Sequence, residues 1–160
     1  MTVIDDVMIA INDAVTLGRQ GDTAQAREQL TELWETMGPD GDPLHRVTLA
    51  HFMADLQDHA ADALTWDLRA LDAVDSLTDE RAQQHHAALN VRGFYPSLHL
   101  NLADCYRRLG AFDTARKHLE AARSRVDALD DDGYGRGVLA GIGNVEAALA
   151  EQSTERLPTH

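Results

Sequence analysis

The chain has 160 residues, 44% hydrophobic and 26% charged, with a formal net charge of −13 at pH 7. That length gives one domain able to bury about 70% of its unfolded surface. That charge repels phosphate backbones, which argues against general nucleic-acid binding.

The first element is the helix of MTVIDDVMIAINDAV, whose Asp5 and Asp6 stand where a signal peptide carries positive charge. With no apolar run long enough to span a bilayer, a cytoplasmic location is expected. Asp22 caps a second helix carrying Ala26, Leu30, Leu33 and Met37 at helical spacing, and Gly38-Pro39 stops it. Asp42 followed by Pro43 reads as a cap and a first-turn proline, opening a helix to about Gln57. A fourth helix carries Ala63, Asp67 and Ala70.

Thr78 is a cap, with Asp79 and Glu80 suited to the first turn of an extra helix from Asp79 to Val91. RGFYP then breaks the chain and a fresh helix begins at Pro96; the competing reading is one long helix kinked at that proline. Leu98, Leu102, Tyr106 and Leu109 share one helical face, Gly110 makes a left-handed turn, and Asp113 caps a helix carrying Phe112, Ala115, Leu119 and Ala122. ALDDDGYGRG, Ala128 to Gly137, reads as a loop. A last helix, 136–151, puts Val138, Ile142, Val145 and Leu149 on one face to cover the final hairpin. The remaining QSTERLPTH, residues 152–160, is expected to be a disordered tail.

One spacing recurs. Ala103, Tyr106, Gly110, Ala115, Leu119 and Ala122 are separated by the same steps as Ala14, Leu17, Gly21, Ala26, Leu30 and Leu33. His51, Ala54, Asp58, Ala63, Asp67 and Ala70 repeat the steps again, with His51 and Asp67 fitting the apolar pattern badly. Three repeated helix hairpins predict an all-α stack, because no single hairpin buries its apolar face alone. The pattern of small residue, aromatic, Gly, Ala, large apolar and Ala resembles that of the tetratricopeptide repeat (TPR) family. It covers Leu98 to Val126 well, Val7 to Met37 less well and Leu44 to Val74 least. The resemblance implies a right-handed superhelical solenoid over residues 1–151, with an extra half-repeat around 79–95.

It also implies a concave groove lined by the first helix of each hairpin. Carried over position by position, the groove offers His45, Phe52 and Asp55 from the second hairpin and Leu100, Asp104, Arg107 and Arg108 from the third, with Tyr95 at the rim. Some family members clamp an acidic chaperone tail through Lys and Asn, at positions held here by Ile11 and Val15, so that ligand is not expected. The basic end is local: Arg92 to Arg125 contain seven basic and three acidic residues. Arginine there suits a carboxylate or phosphate, although pairing with neighbouring acidic helices is the plainer use of those charges.

No chemistry-bearing motif stands out. The glycines of GYGRGVLAGIG lack the strand and Gly-Lys-Ser/Thr ending of a phosphate loop; Gly133, Gly137 and Gly141 share a face that suits close packing or self-association. No two histidines have the i, i+4 spacing of a helical metal pair. Asp130 to Asp132 lack an EF-hand frame. The single cysteine, Cys105, sits where a small buried hydrophobe belongs and has no intrachain partner, as in a reducing compartment. Thirteen of the fourteen basic residues are arginine, which suits a GC-rich bacterial genome. The expected function is therefore a non-catalytic module without cofactor or metal. It would hold a peptide or partner helix, acidic or mixed, in its groove, and homo-oligomers are allowed. The alternative is a small-ligand or signal-peptide sensor that regulates a partner protein.

Overall fold

The computed structural model describes residues 5–85 and 91–158. Among these the chain forms eight α-helices and no strand: α1 (Asp6–Arg19), α2 (Thr23–Met37), α3 (Pro43–Asp55), α4 (Ala60–Val74), α5 (Asp79–His85), α6 (Tyr95–Arg108), α7 (Phe112–Arg123) and α8 (Gly133–Ala150). None is long and apolar enough to cross a membrane.

The boundaries follow local chemistry. Asp5, Asp22 and Asp42 each accept a backbone N–H in the first turn of α1, α2 and α3, and Pro43 fills the first turn of α3. Thr78 Oγ1 accepts the N–H of Arg81 at 3.2 Å, as its expected role as a cap requires. Gly110 has φ +79°, and the N–H of Ala111 bonds back to the carbonyl of Tyr106, closing α6 tightly enough for α7 to return antiparallel.

Two boundaries differ from expectation. Asp113 does not cap α7, which begins at Phe112 with no side-chain cap; Asp113 lies inside the first turn and pairs with Arg116 at 3.0 Å. The loop expected to run to Gly137 ends at Asp132, whose carboxylate caps α8 by accepting the N–H of Gly135 at 2.8 Å. The extra helix is described only to His85; the part expected at 86–90 lies outside the described residues. Val91–Phe94 form a 3₁₀ turn that runs into α6, with Pro96 in its first turn; the N–H of Val91 donates to Asp79 Oδ1 at 2.8 Å, a contact that one continuous helix from Asp79 would not allow.

Helices α1 and α2, α3 and α4, and α6 and α7 pair as hairpins, α4 packs on α6, and α8 packs on both α6 and α7. Two apolar cores result. The first joins α1 to α5 and takes Leu98 from α6; the second joins α6, α7 and α8 around Leu100, Leu119, Ile142 and Val145. The small residues of the repeat, Ala14, Ala26, Ala103, Ala115 and Ala122, are fully buried where helices approach. Helix α5 is tied to the first hairpins by Arg81, whose Nε donates to Asp42 Oδ2 at 2.7 Å and whose Nη2 donates to Asp5 Oδ2 at 3.3 Å. Trp34 and Trp66 meet edge to face with centroids 5.1 Å apart, and Arg46 and Arg69 stack on them.

The segment after α8 is not the disordered tail expected. Gln152 adopts φ +52°, and Gln152 and Ser153 donate their N–H groups to the carbonyls of Leu149 and Ala148. This turn sends residues 153–158 back over α6, where Leu157 packs on the second core. Residues 159–160 lie outside the described residues.

Candidate functional site

Arg107 shows why the tail returns. Its side chain is completely buried, although it lies at a helix end in a run of basic residues. Nε and Nη2 donate to Asp104 Oδ1 at 3.0 and 2.7 Å; Nη1 donates to the Ser153 carbonyl at 2.7 Å and Nη2 to that of Glu155 at 2.8 Å. A buried guanidinium needs a counter-charge and acceptors for its N–H groups. Asp104 supplies the first, and two carbonyls of the chain's own tail complete the second. The expectation that Arg107 presents its charge to a partner is corrected accordingly, and Asp104 is its counter-ion.

Beside this anchor lies a cavity of about 500 Å³, walled by α3, α4, α6, the start of α8 and the tail residues Arg156 to Pro158. A second, more apolar cavity of about 340 Å³ adjoins it between α3, the start of α6 and the turn before α8. His51, Ser97 and Tyr134 line both, and Tyr134 donates its hydroxyl to Ser97 Oγ at 2.9 Å. His51 Nδ1 lies 3.3 Å from Asn101 Nδ2, joining α3 to α6.

Of the expected groove residues, Asp55, Leu100, Asp104 and Arg108 line the larger cavity and Phe52 the apolar one. Two others lie elsewhere. His45 Nε2 contacts Asp5 Oδ2 at 2.8 Å in the cluster around Arg81. Tyr95 donates its hydroxyl to Asp75 at 2.7 Å, and burial together with that carboxylate pushes its phenol up to about 12. Tyr95 stacks on His99, which stacks on His118, their Nδ1 atoms 3.1 Å apart. Burial, with Arg125 and His118 adding, lowers His99 to about 4, so one neutral ring donates to the other. Of the three glycines expected to pack closely, Gly141 is buried in α8 but Gly133 and Gly137 are not close-packed. A Cβ on Gly133 or Gly137 would meet nothing within 4 Å, and both line the larger cavity. The tight position is Gly135, where a Cβ would strike the carbonyl of Asp130.

The polar feature that sequence reasoning noted as a misfit but did not place in the site is Asp67. It is 2% exposed, Oδ2 accepts the Cys105 thiol at 3.2 Å, and Oδ1 has no hydrogen-bond partner. Burial first, then the charges of Asp55 and Asp104, raise its carboxyl to about 8 against the thiol's opposing hydrogen bond, so near neutrality it is largely protonated. The signal was present: Asp67 and His51 occupy positions where the other hairpins carry Leu30 or Leu119 and Ala14 or Ala103. Burial, then Asp67, also push the Cys105 thiol far above its ordinary range, the reverse of what a nucleophile needs.

No family model matches the chain, and neither a curated protein nor a solved structure matches it. The chemistry of the site therefore rests on its own geometry. It offers a partly enclosed space lined by Asp67, whose buried Oδ1 is unpartnered, with Arg108 and Arg156 on its walls and an apolar annex. Among the described residues no group of three or more His, Cys, Asp or Glu side chains is placed to hold a metal ion.

Proposed function

We propose that this chain is a helical-repeat interaction module of the tetratricopeptide type, without catalytic activity. Its three hairpins would stack as a right-handed superhelix, and the inner face of α3 and α6 would hold a peptide segment or partner helix. The observation that carries the reading is the pair of cavities of about 500 and 340 Å³ on that face; residues 153–157 already occupy part of the same wall, with two main-chain carbonyls held by Arg107 and Leu157 seated on the second core, so a guest must fit beside the tail or displace it. Main-chain recognition combined with a side-chain pocket is the general way a groove holds an extended segment. A guest reaching the two cavities would meet Phe52, Asp55, Leu100, Asp104 and Arg108. The protonated, buried Cys105 supports a non-catalytic reading. A second reading, a small-ligand sensor, is favoured by the size of the larger cavity and by the wall that Arg156 to Pro158 add to it.

Selection of a displayed peptide library on the immobilised full chain tests the first reading. A recurrent motif whose binding is lost on Arg108→Glu and on Phe52→Ala is expected. If no motif emerges, or if the motif ignores both substitutions, the peptide reading fails.

A further inference from the structure

The unpartnered oxygen of Asp67 narrows the guest. Among the described residues Oδ1 is the one buried side-chain oxygen or nitrogen without a hydrogen-bond partner. Buried polar groups are almost always satisfied, so an exception inside a cavity calls for a partner that binds there. Its surroundings give that partner's charge. Asp55 at the end of α3 and Asp104 on α6 both act on Asp67 as negative charges, and the other oxygen is engaged by the Cys105 thiol. Asp67 holds a proton and Asp104 is paired with Arg107, so the charge of Asp55 is what opposes an anionic guest at Oδ1. A cationic N–H donor would displace the proton of Asp67 and give the ionised Oδ1 a charge-assisted bond, with Asp55 adding its attraction.

The cation is organic by the same geometry, since no set of three or more ligating side chains converges there among the described residues. Leu100, Val138 and Leu157 line the same space and suit an alkyl stem leading to the charge. Arg108 and Arg156, also on the wall, suit a carbonyl or carboxylate at the guest's other end.

We infer that the larger cavity binds an alkylammonium group on Asp67 Oδ1, brought either by a lysine side chain of the bound segment or by a free diamine. The inference rests on the reading above that this face takes a guest. Binding exchanges Asp67's own proton for the ammonium N–H, so the carboxyl ends ionised and a proton leaves to solvent.

Calorimetric titration of the full chain tests this with N-acetyl-lysine methylamide, which stands for the side chain, and 1,4-diaminobutane, which stands for the free amine. The uncharged controls are N-acetyl-norleucine methylamide and 1,4-butanediol. At least one ammonium probe should bind in the range up to roughly 10 mM, with its control about tenfold or more weaker, the ratio expected from one hydrogen bond to a charged group. Asp67→Asn should abolish that preference while the variant still unfolds cooperatively. Gly137→Leu, which places a side chain where nothing lies within 4 Å of the added Cβ, should block the same probes without touching the carboxyl. Whichever probe binds identifies the source of the amine. Equal binding of charged and uncharged probes, binding indifferent to both substitutions, or no ammonium binding at all would overturn the inference. A library motif lacking a basic residue alongside such a result would remove this inference and leave the peptide reading standing; failure to select any motif would remove that reading itself.

Discussion

Replacing Asp67 with Asn keeps the shape of the side chain and removes its titration. In the fold the carboxyl holds its proton up to about pH 8, whereas its ordinary value is 3.8. The folded pKa is raised, so the group's favourable contribution is complete below the ordinary value and is lost as pH rises toward the folded value. Across that window the unfolded chain releases a proton that the folded chain keeps, and stability falls by about 1 kcal/mol per pH unit. Because Asp67 is 2% exposed, solvent screening takes little from that slope. The asparagine amide adds a roughly constant cost of about 1–3 kcal/mol if its N–H₂ stays unpaired. Urea unfolding of both proteins at intervals from about pH 5 to about pH 8 gives the two stability curves, and their difference isolates Asp67. His99 and His118 are both lowered by burial, so their contribution runs the other way and is lost as pH falls, but it is common to both proteins and cancels. The wild-type advantage should shrink steadily and sum to about 3 kcal/mol over the range. A difference that stays constant with pH would mean that Asp67 is already ionised in the fold, and the account of a protonated carboxyl beneath the cavity would be wrong.

Arg107→Leu leaves Asp104 buried without its guanidinium and frees the two tail carbonyls; a loss of about 3–5 kcal/mol is expected by denaturant unfolding, with fast hydrogen exchange at residues 153–157. Unchanged stability would show that the tail is not anchored there. Gly110→Ala forces a β-carbon into a backbone at φ +79° and should cost about 1 kcal/mol, read as a lowered Tm. Nitrogen-detected titration of the imidazoles should find His99 neutral down to about pH 4, and a midpoint near the ordinary 6.5 would refute the buried pair with His118. Cys105 should resist a disulfide reagent in the native state and react only as denaturant unfolds the chain.

The hairpins were legible because their signals are local. Gly21 and Gly110 do adopt positive φ, Asp22, Asp42 and Thr78 do cap helices, and the alanines at the repeat positions are buried. Asp113 misled because an acidic residue inside a first turn and one at the cap just before it look alike in sequence, and both are favoured there. Arg107 misled for a different reason. Beside Arg108 at a helix end it has the pattern of a solvated cation, and the acceptors that bury it lie 46 and 48 residues onward. The pairing of His99 with His118 was hidden likewise, because antiparallel packing of α6 and α7, not spacing within one helix, brings them together. Asp67 was visible as a misfit at a leucine position, but one sequence does not say whether such a misfit weakens a repeat or equips it.

The returning tail has a consequence for how the molecule is made. As the chain leaves the ribosome, α1 to α5 can settle around their own core while α6 and α7 still lack Ser153 and Glu155. Until those residues emerge, Asp104 can pair with the guanidinium of Arg107, but the guanidinium N–H groups that face the tail stay hydrated. The third hairpin therefore reaches its final form last, and a nascent chain stalled soon after α8 would keep that hairpin ajar.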